Sequence, residues 1–302
     1  MQHVITALGF AAMVLFTSSE AAAQNALDRL RPTLIPAPVL LVSSAPTTLR
    51  ILDSTGVGAA VESKSISVAG STFNIAAKIS LGRIEVMGSY KIEEDVGTLL
   101  PGLYDVVYNA EARYFDQTYS GETKTWRWRM VVVDSANIAD AIEYYHSELD
   151  HFFLTILPIE IQALDTGQLP GWERTGQRIS VLVPGSAPPE FDDVCRFYGL
   201  PEAGLNTHFY SAYRSECDLL LENGKGSWVL ETDSAFRIFP IDLETGMCPA
   251  NYLPVHRLWN GRPAANHRYT TSDAVFAEMI AKGWVPEGNG PDVAVWCALP
   301  PP

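Results

Sequence analysis

The sequence predicts a mainly β N-terminal sandwich followed by an α+β domain built on a pseudo-threefold repeat. Three observations lead there. Short runs of two-residue alternation, separated by turn residues, fill the first half. Histidine-led strings recur in the second half at intervals of 57 and 59 residues. Tryptophans follow them at intervals of 56 and 56, so two independent markers share one period. At 302 residues the chain suits two domains better than one core. With 47% hydrophobic and 19% charged residues it can bury such cores.

The first element is an export signal over residues 1–23. Val4 to Phe16 is an apolar run of h-region length, and Ala21-Ala22-Ala23 supplies the small residues for cleavage after Ala23. The run is shorter than the roughly 20 residues a spanning helix needs, so no stable membrane insertion of the mature chain is expected. A secreted or periplasmic protein follows. No cysteine lies directly after the run, so a lipid anchor is not indicated.

Residues 24–44, with Pro32, Pro36 and Pro38, read as a linker feeding an edge strand, because proline removes a ladder donor. Over 45–135 the alternating runs are Ser65–Val68, Phe73–Ala76, Arg83–Val86, Tyr104–Tyr108 and Trp126–Val133. Gly70, Gly88, Gly97, Pro101-Gly102 and Gly121 separate them, which is the pattern of an antiparallel sandwich. The Pro101-Gly102-Leu103-Tyr104 turn resembles the last hairpin of immunoglobulin-like domains. That resemblance implies a fold and no function. Trp126 and Trp128 share one strand face, either as core residues or as a binding stripe, with Arg127 and Arg129 on the other.

The repeat domain spans 141–302. Its strings are His151-Phe152-Phe153, His208-Phe209-Tyr210 and His267-Arg268-Tyr269. Each is preceded by an aromatic segment: Glu143-Tyr144-Tyr145, Arg196-Phe197-Tyr198 or Arg257-Leu258-Trp259. A helix-like stretch then leads to Trp172, Trp228 or Trp284, and a turn and strand follow. Each unit reads as strand, strand, short helix, strand, too small to stand alone and able to share a core with its neighbours. The order aromatic-Arg-aromatic, His-Phe-Tyr-Thr, Glu-bearing helix, Gly-Trp, Glu-Gly and aromatic strand resembles a repeat family known as domain of unknown function 5648, over about Ile142 to Ala298. Three departures stand out. Glu143 replaces the arginine of the first unit, Thr175-Gly176 replaces its Glu-Gly, and Ser227 replaces the glycine before Trp228. The resemblance implies an envelope or carbohydrate-binding role.

Cys195, Cys217, Cys248 and Cys297 form an even set in an exported chain, and disulfides Cys195–Cys217 and Cys248–Cys297 are the expected local pairing among three connectivities. Without a C-x-x-C spacing no zinc site is expected. Residues 141–302 carry 10 basic and 21 acidic side chains, a net of −11, so nucleic acid is excluded as a partner. Glu190, Asp192 and Asp193 cluster in a proline-rich loop that reads as solvated, with calcium the rival. His151, His208 and His267 either lock their hairpins or converge on a metal. Trp172, Trp228 and Trp284 either wedge the core or offer faces to sugar rings. In the sugar reading Glu231, Glu287, Arg257 and Arg268 take the hydroxyls. No nucleophile elbow, zincin motif or phosphate loop appears. No catalytic residue and no cofactor is therefore assigned. The expected function is a non-catalytic module that binds carbohydrate or cell-envelope components. An extracellular hydrolase acting on cell wall or glycan is the first alternative. A protein-binding adhesion module is the second.

Overall fold

The computed structural model describes residues 26–35, 40–42, 46–55, 57–85, 88–186, 190–249 and 252–300. The signal-peptide reading of residues 1–23 lies outside them. The chain is mainly β, in several sheets, none closed. It divides into two compact units. Among the described residues, the first holds 26–34, Leu49–Glu94 and Asp105–Trp128; the second holds those from Arg129 onward together with those within 35–48 and Asp95–Tyr104.

The strands of the first half are β1 (Thr33–Ile35), β2 (Leu40–Val42), β3 (Pro46–Ser54), β4 (Val57–Ala69), β5 (Thr72–Glu85), β6 (Ser89–Thr98), β7 (Gly102–Tyr114) and β8 (Lys124–Val133). One sheet has the order β1-β3-β6, and in another β7, β5 and β4 are neighbours. Alternation puts Phe73, Ile75 and Ile79 of β5 on one buried face with Val106 and Tyr108 of β7. Tyr90 of β6 meets Tyr108 hydroxyl to hydroxyl at 3.1 Å, so side chains of both sheets enter one core. Trp126 and Trp128 stack on Tyr108 at 5.6 and 6.5 Å, half-buried, while Arg127 is exposed.

The expectation of a purely antiparallel arrangement is corrected. β5 and β7 pair in parallel, Thr72 to Asp105 through Leu81 to Tyr114. Parallel neighbours need a crossover, and β6, in the other sheet, supplies it.

The second unit continues with β9 (Ile138–His146), β10 (His151–Thr155), α1 (Pro158–Asp165), β11 (Trp172–Leu182) and β12 (Asp192–Asp193). Then come β13 (Cys195–Gly199), β14 (Thr207–Ser211), α2 (Arg214–Asn223), β15 (Trp228–Thr232) and β16 (Arg237–Ile238). The chain closes with β17 (Leu253–Trp259), β18 (His267–Thr270), α3 (Asp273–Ala281), β19 (Val285–Pro286) and β20 (Ala294–Ala298). The sequence strand, strand, helix, strand thus occurs three times. In each case the second strand lies at a sheet edge: β10 beside β9, β14 beside β13, β18 beside β17. Phe153, Leu154, Tyr210, Val255, Tyr269 and Trp296 pack in one core drawn from all three segments. Disulfides Cys195–Cys217 and Cys248–Cys297 are both formed.

Candidate binding site

Local chemistry repeats with the fold. Each edge strand ends in a hydroxyl residue: Thr155, Ser211 or Thr270. Its oxygen accepts from the backbone N–H two residues on, Leu157 at 2.9 Å, Tyr213 at 2.9 Å and Ser272 at 3.0 Å. This bond turns the chain out of the strand and into the helix. A left-handed glycine then redirects the chain ahead of Trp172 and Trp284, with Gly171 and Gly283 at φ of 86° and 89°. At Gly171 a Cβ would fall 2.3 Å from the His146 ring, so a side chain there would also have to displace that ring.

Hairpin pairing fixes which residues are equivalent. Tyr145 faces Phe152, Tyr198 faces His208, and Trp259 faces His267. Phe152 therefore occupies the place of His208 and His267. His151 sits one position earlier, with Thr207 and Asn266. The equivalence of three histidines suggested by spacing is corrected here. Strand side chains alternate between faces, so a slip of one residue moves His151 to different surroundings.

The segments meet through buried charges. At the first junction Glu160 of α1 receives both guanidinium nitrogens of Arg196 at 2.9 and 2.7 Å. Arg196 Nε lies 2.8 Å from Glu231, which also meets His208 Nε2 at 3.3 Å. The second junction repeats this. Glu216 of α2 receives Arg257 at 2.7 and 2.9 Å, and Glu287 lies 3.0 Å from Arg257 and 3.2 Å from His267 Nε2. Nε of both arginines is out of line for a hydrogen bond to the strand glutamate, so that contact is ionic. Burial pushes the carboxyls of Glu231 and Glu287 up, but His208 or His267 and the neighbouring arginine outweigh it and hold both below the usual range.

The third junction inverts the signs. Glu143 stands where Arg196 and Arg257 stand, Thr175 where the strand glutamates stand, and Val275 where the helix glutamates stand. Arg268, in the place of Phe153 and Phe209, reaches back to Glu143 at 3.0 and 2.8 Å, and Thr175 donates to Glu143 at 2.6 Å. Each arginine also lies over a phenylalanine of another segment: Arg196 over Phe153, Arg257 over Phe209, Arg268 over Phe152.

Edge backbone is capped in the same manner. The Tyr210 hydroxyl accepts from Leu154 N at 3.2 Å and donates to Leu154 O at 2.6 Å. Tyr269 serves Tyr210 at 3.0 and 2.7 Å. Asn266 serves Phe152 at 3.0 and 3.4 Å and donates to Thr207 at 2.7 Å. These side chains satisfy groups that an edge strand would otherwise leave open. His151 Nδ1–H donates to Asn206 O at 2.7 Å. Burial holds its imidazole below the ordinary pKa, against the raising effect of that carbonyl.

The candidate residues read from sequence thus gather at the segment junctions. His208, His267, Glu231, Glu287, Arg257 and Arg268 are engaged with one another or with Glu143 and Glu216. Trp172 packs on Phe153, Trp228 on Phe209 and Trp284 on Phe152, at 5.9, 6.2 and 5.7 Å between ring centres. Trp284 is 6% exposed, while Trp172 and Trp228 are half-buried.

Open space lies elsewhere. A cleft of about 500 Å³ is walled by Asp192, Asp193, Tyr213, Ser215, Asp233 and Ser234, with Ile241 and Val295 at its floor. It combines residues of the second segment with Val295 of β20, after the third. A smaller cavity of about 160 Å³ lies between the first and second segments, bounded by Leu154, Leu157, Arg196, Glu231 and Phe236. In the larger cleft burial pushes the Asp192 carboxyl up; Arg237 opposes this and Asp193 adds to it. Among the described residues no group of three or more His, Cys, Asp or Glu side chains is placed to hold a metal.

Residues 194–295 match the family model described as domain of unknown function DUF5648. The match begins just before β13 and ends within β20, so it covers the second and third segments. No curated protein and no solved structure matches the chain.

Arg196, Glu160, Glu216, Tyr210 and Tyr269 were not assigned a site role from sequence, and Glu143 stood out only as a departure from the repeat. One signal was available for the helix glutamates: each lies five residues after the strand-end hydroxyl, Thr155 to Glu160 and Ser211 to Glu216. Of the cleft's acidic wall, Asp192 and Asp193 were noted in sequence only as part of a cluster with Glu190, read as a solvated loop with calcium the rival.

Proposed function

We propose that this protein is an exported, non-catalytic module that binds carbohydrate or cell-envelope components. Its signal peptide covers residues 1–23 and its linker 24–44. An immunoglobulin-like sandwich over 45–135 spaces a pseudo-threefold repeat domain over 141–302. Recognition belongs to the 500 Å³ cleft beside α2, and that cleft is the observation carrying the reading. Its size suits one or two sugar rings. Its lining joins an apolar floor, one aromatic side and several hydroxyl and carboxylate acceptors, the mixture that a polyhydroxylated ligand requires.

The junction chemistry supports a binding role over a catalytic one. His208 and His267 present Nε2 to carboxylates that are shared with buried arginines, so these groups are committed to holding segments together. Two disulfides and the lack of a membrane-length apolar helix among the described residues fit an extracellular or periplasmic setting.

The test is retention on insoluble peptidoglycan and on immobilised glycans. Ser215 is exposed on the cleft wall, so Ser215→Trp fills the space without touching a core contact. Wild type is expected to bind and Ser215→Trp to lose binding, while Trp172→Phe and Trp228→Phe retain it. Binding that survives Ser215→Trp and disappears in the tryptophan variants would move recognition to the indole faces.

A further inference from the structure

We infer that the ligand of this cleft carries a protonated amine beside its hydroxyls, as an amino sugar of the hexosamine class does. The inference rests on the cleft being the binding site and adds what the cleft selects. Its charge is predominantly negative. Three carboxylates, from Asp192, Asp193 and Asp233, line it. Of these, Asp193 is already engaged, by Arg237 Nε at 3.2 Å and by the Ser234 hydroxyl at 2.5 Å. The one arginine on the wall, Arg214, is turned to Asp218 of its own helix at 2.9 Å. Among the described residues Asp233 has no ion-pair partner, and Asp192 has none within salt-bridge distance, although it lies in the field of Arg237. A concave, partly apolar site concentrates the field of such carboxylates, favours a cation and repels a uronic acid or phosphate.

The rest of the lining limits what the cation is attached to. Ile241 and Val295 are buried beneath the cleft and present apolar surface at its floor. Tyr213 stands at one side, half-buried, with its hydroxyl accepting from Asn289 at 3.1 Å. Ser215 and Ser234 add hydroxyls. A compact metal ion would leave most of 500 Å³ unfilled. An aliphatic polyamine would leave the hydroxyls unused. A pyranose ring bearing an amine meets all three features: its C–H face lies on the apolar floor or the tyrosine ring, its hydroxyls on serine, and its ammonium on Asp192 or Asp233.

The experiment is calorimetric titration of the full chain with β-1,4 glucosamine tetramer and, separately, with the fully N-acetylated tetramer. The two ligands differ in charge and share the ring. The free amine is expected to bind roughly tenfold or more tighter, the worth of one charge-assisted hydrogen bond. Asp192→Asn with Asp233→Asn should erase that preference, and Ser215→Trp should abolish binding of both tetramers. Circular dichroism and intact disulfides establish that each variant is folded. Equal affinity for the two tetramers, unchanged in the double variant and lost in Ser215→Trp, overturns the amine while leaving the cleft as the site. Failure of both tetramers to bind, with peptidoglycan still retained through the cleft, also overturns it. Binding that persists in Ser215→Trp overturns the cleft itself.

Discussion

Replacing Arg268 by phenylalanine restores the residue type found at the equivalent places in the first two segments, yet it is expected to destabilise the protein. The side chain of Glu143 is 1% exposed and that of Arg268 9%, and two hydrogen bonds of 3.0 and 2.8 Å join them. Removing the cation leaves a buried carboxylate with only Thr175 for support, a cost of about 3–5 kcal/mol. For a unit of this size that corresponds to a fall of roughly 6–20 °C in the midpoint of the second unit. The informative variant carries four changes: Glu143→Arg, Thr175→Glu, Arg268→Phe and Val275→Glu. Together they rewrite the third junction in the pattern of the first two, with a helix glutamate, a buried arginine and a strand glutamate. Differential scanning calorimetry of the full chain would compare this variant with wild type and with each single change. The expected outcome is that the quadruple variant recovers at least half of the stability lost by Arg268→Phe. A quadruple variant no more stable than Arg268→Phe would refute the equivalence of the three junctions. So would an Arg268→Phe cost below about 1 kcal/mol, the scale of an exposed pair.

Three other outcomes follow from the structure. The folded-state pKa of His151 is depressed, so its protonation is easier in the unfolded chain; stability should be full above the unfolded value and fall as pH drops through the folded one. His151→Gln should flatten that acid limb in urea midpoints measured across the histidine range. Asp53 is 3% exposed and its pKa is raised by burial, against Arg31 and Tyr90, so it opposes folding once ionised. Asp53→Asn should therefore raise the denaturation midpoint at neutral pH and lose that advantage in acid, where the wild-type carboxyl is protonated in both states. The disulfides close loops with separations of 22 and 49 residues. Paired Cys→Ala variants should lose about 3 kcal/mol for Cys195–Cys217 and about 4 for Cys248–Cys297 by chain entropy, read from chemical denaturation.

The period of the second half was legible because its markers sit where geometry leaves little choice. A tryptophan after a left-handed glycine closes the first and third units, and an aromatic residue, Tyr145, Tyr198 or Trp259, lies in the opening strand of each hairpin. The disulfide pairing was legible because each bridge joins nearby parts of the chain. The register of the first hairpin was not. A histidine lies one residue before the equivalent position, and counting from histidine to histidine cannot see a strand slip that pairing with Tyr145 makes plain. The junction ion pairs were hidden for a different reason. Arg196 and Glu160 are 36 residues apart, and Arg268 and Glu143 are 125 apart with the signs exchanged. No local pattern marks such partners. The departures at Glu143 and Thr175 stood out as breaks in the repeat, and the structure joins them through Arg268 into one compensated exchange. In the first half the alternation of β5 and β7 was correctly two-residue, but alternation does not encode strand direction, so their parallel pairing became evident only from the crossover through β6.

The most direct test of the central claim is hydrogen–deuterium exchange of the full chain with and without soluble peptidoglycan fragments. New protection is expected over residues 212–217 and 233–243, which bound the cleft, with little change at the already buried junctions around Arg196, Arg257 and Arg268. Protection confined to the Trp172 and Trp228 loops, or to the strands of residues 45–135, would contradict it.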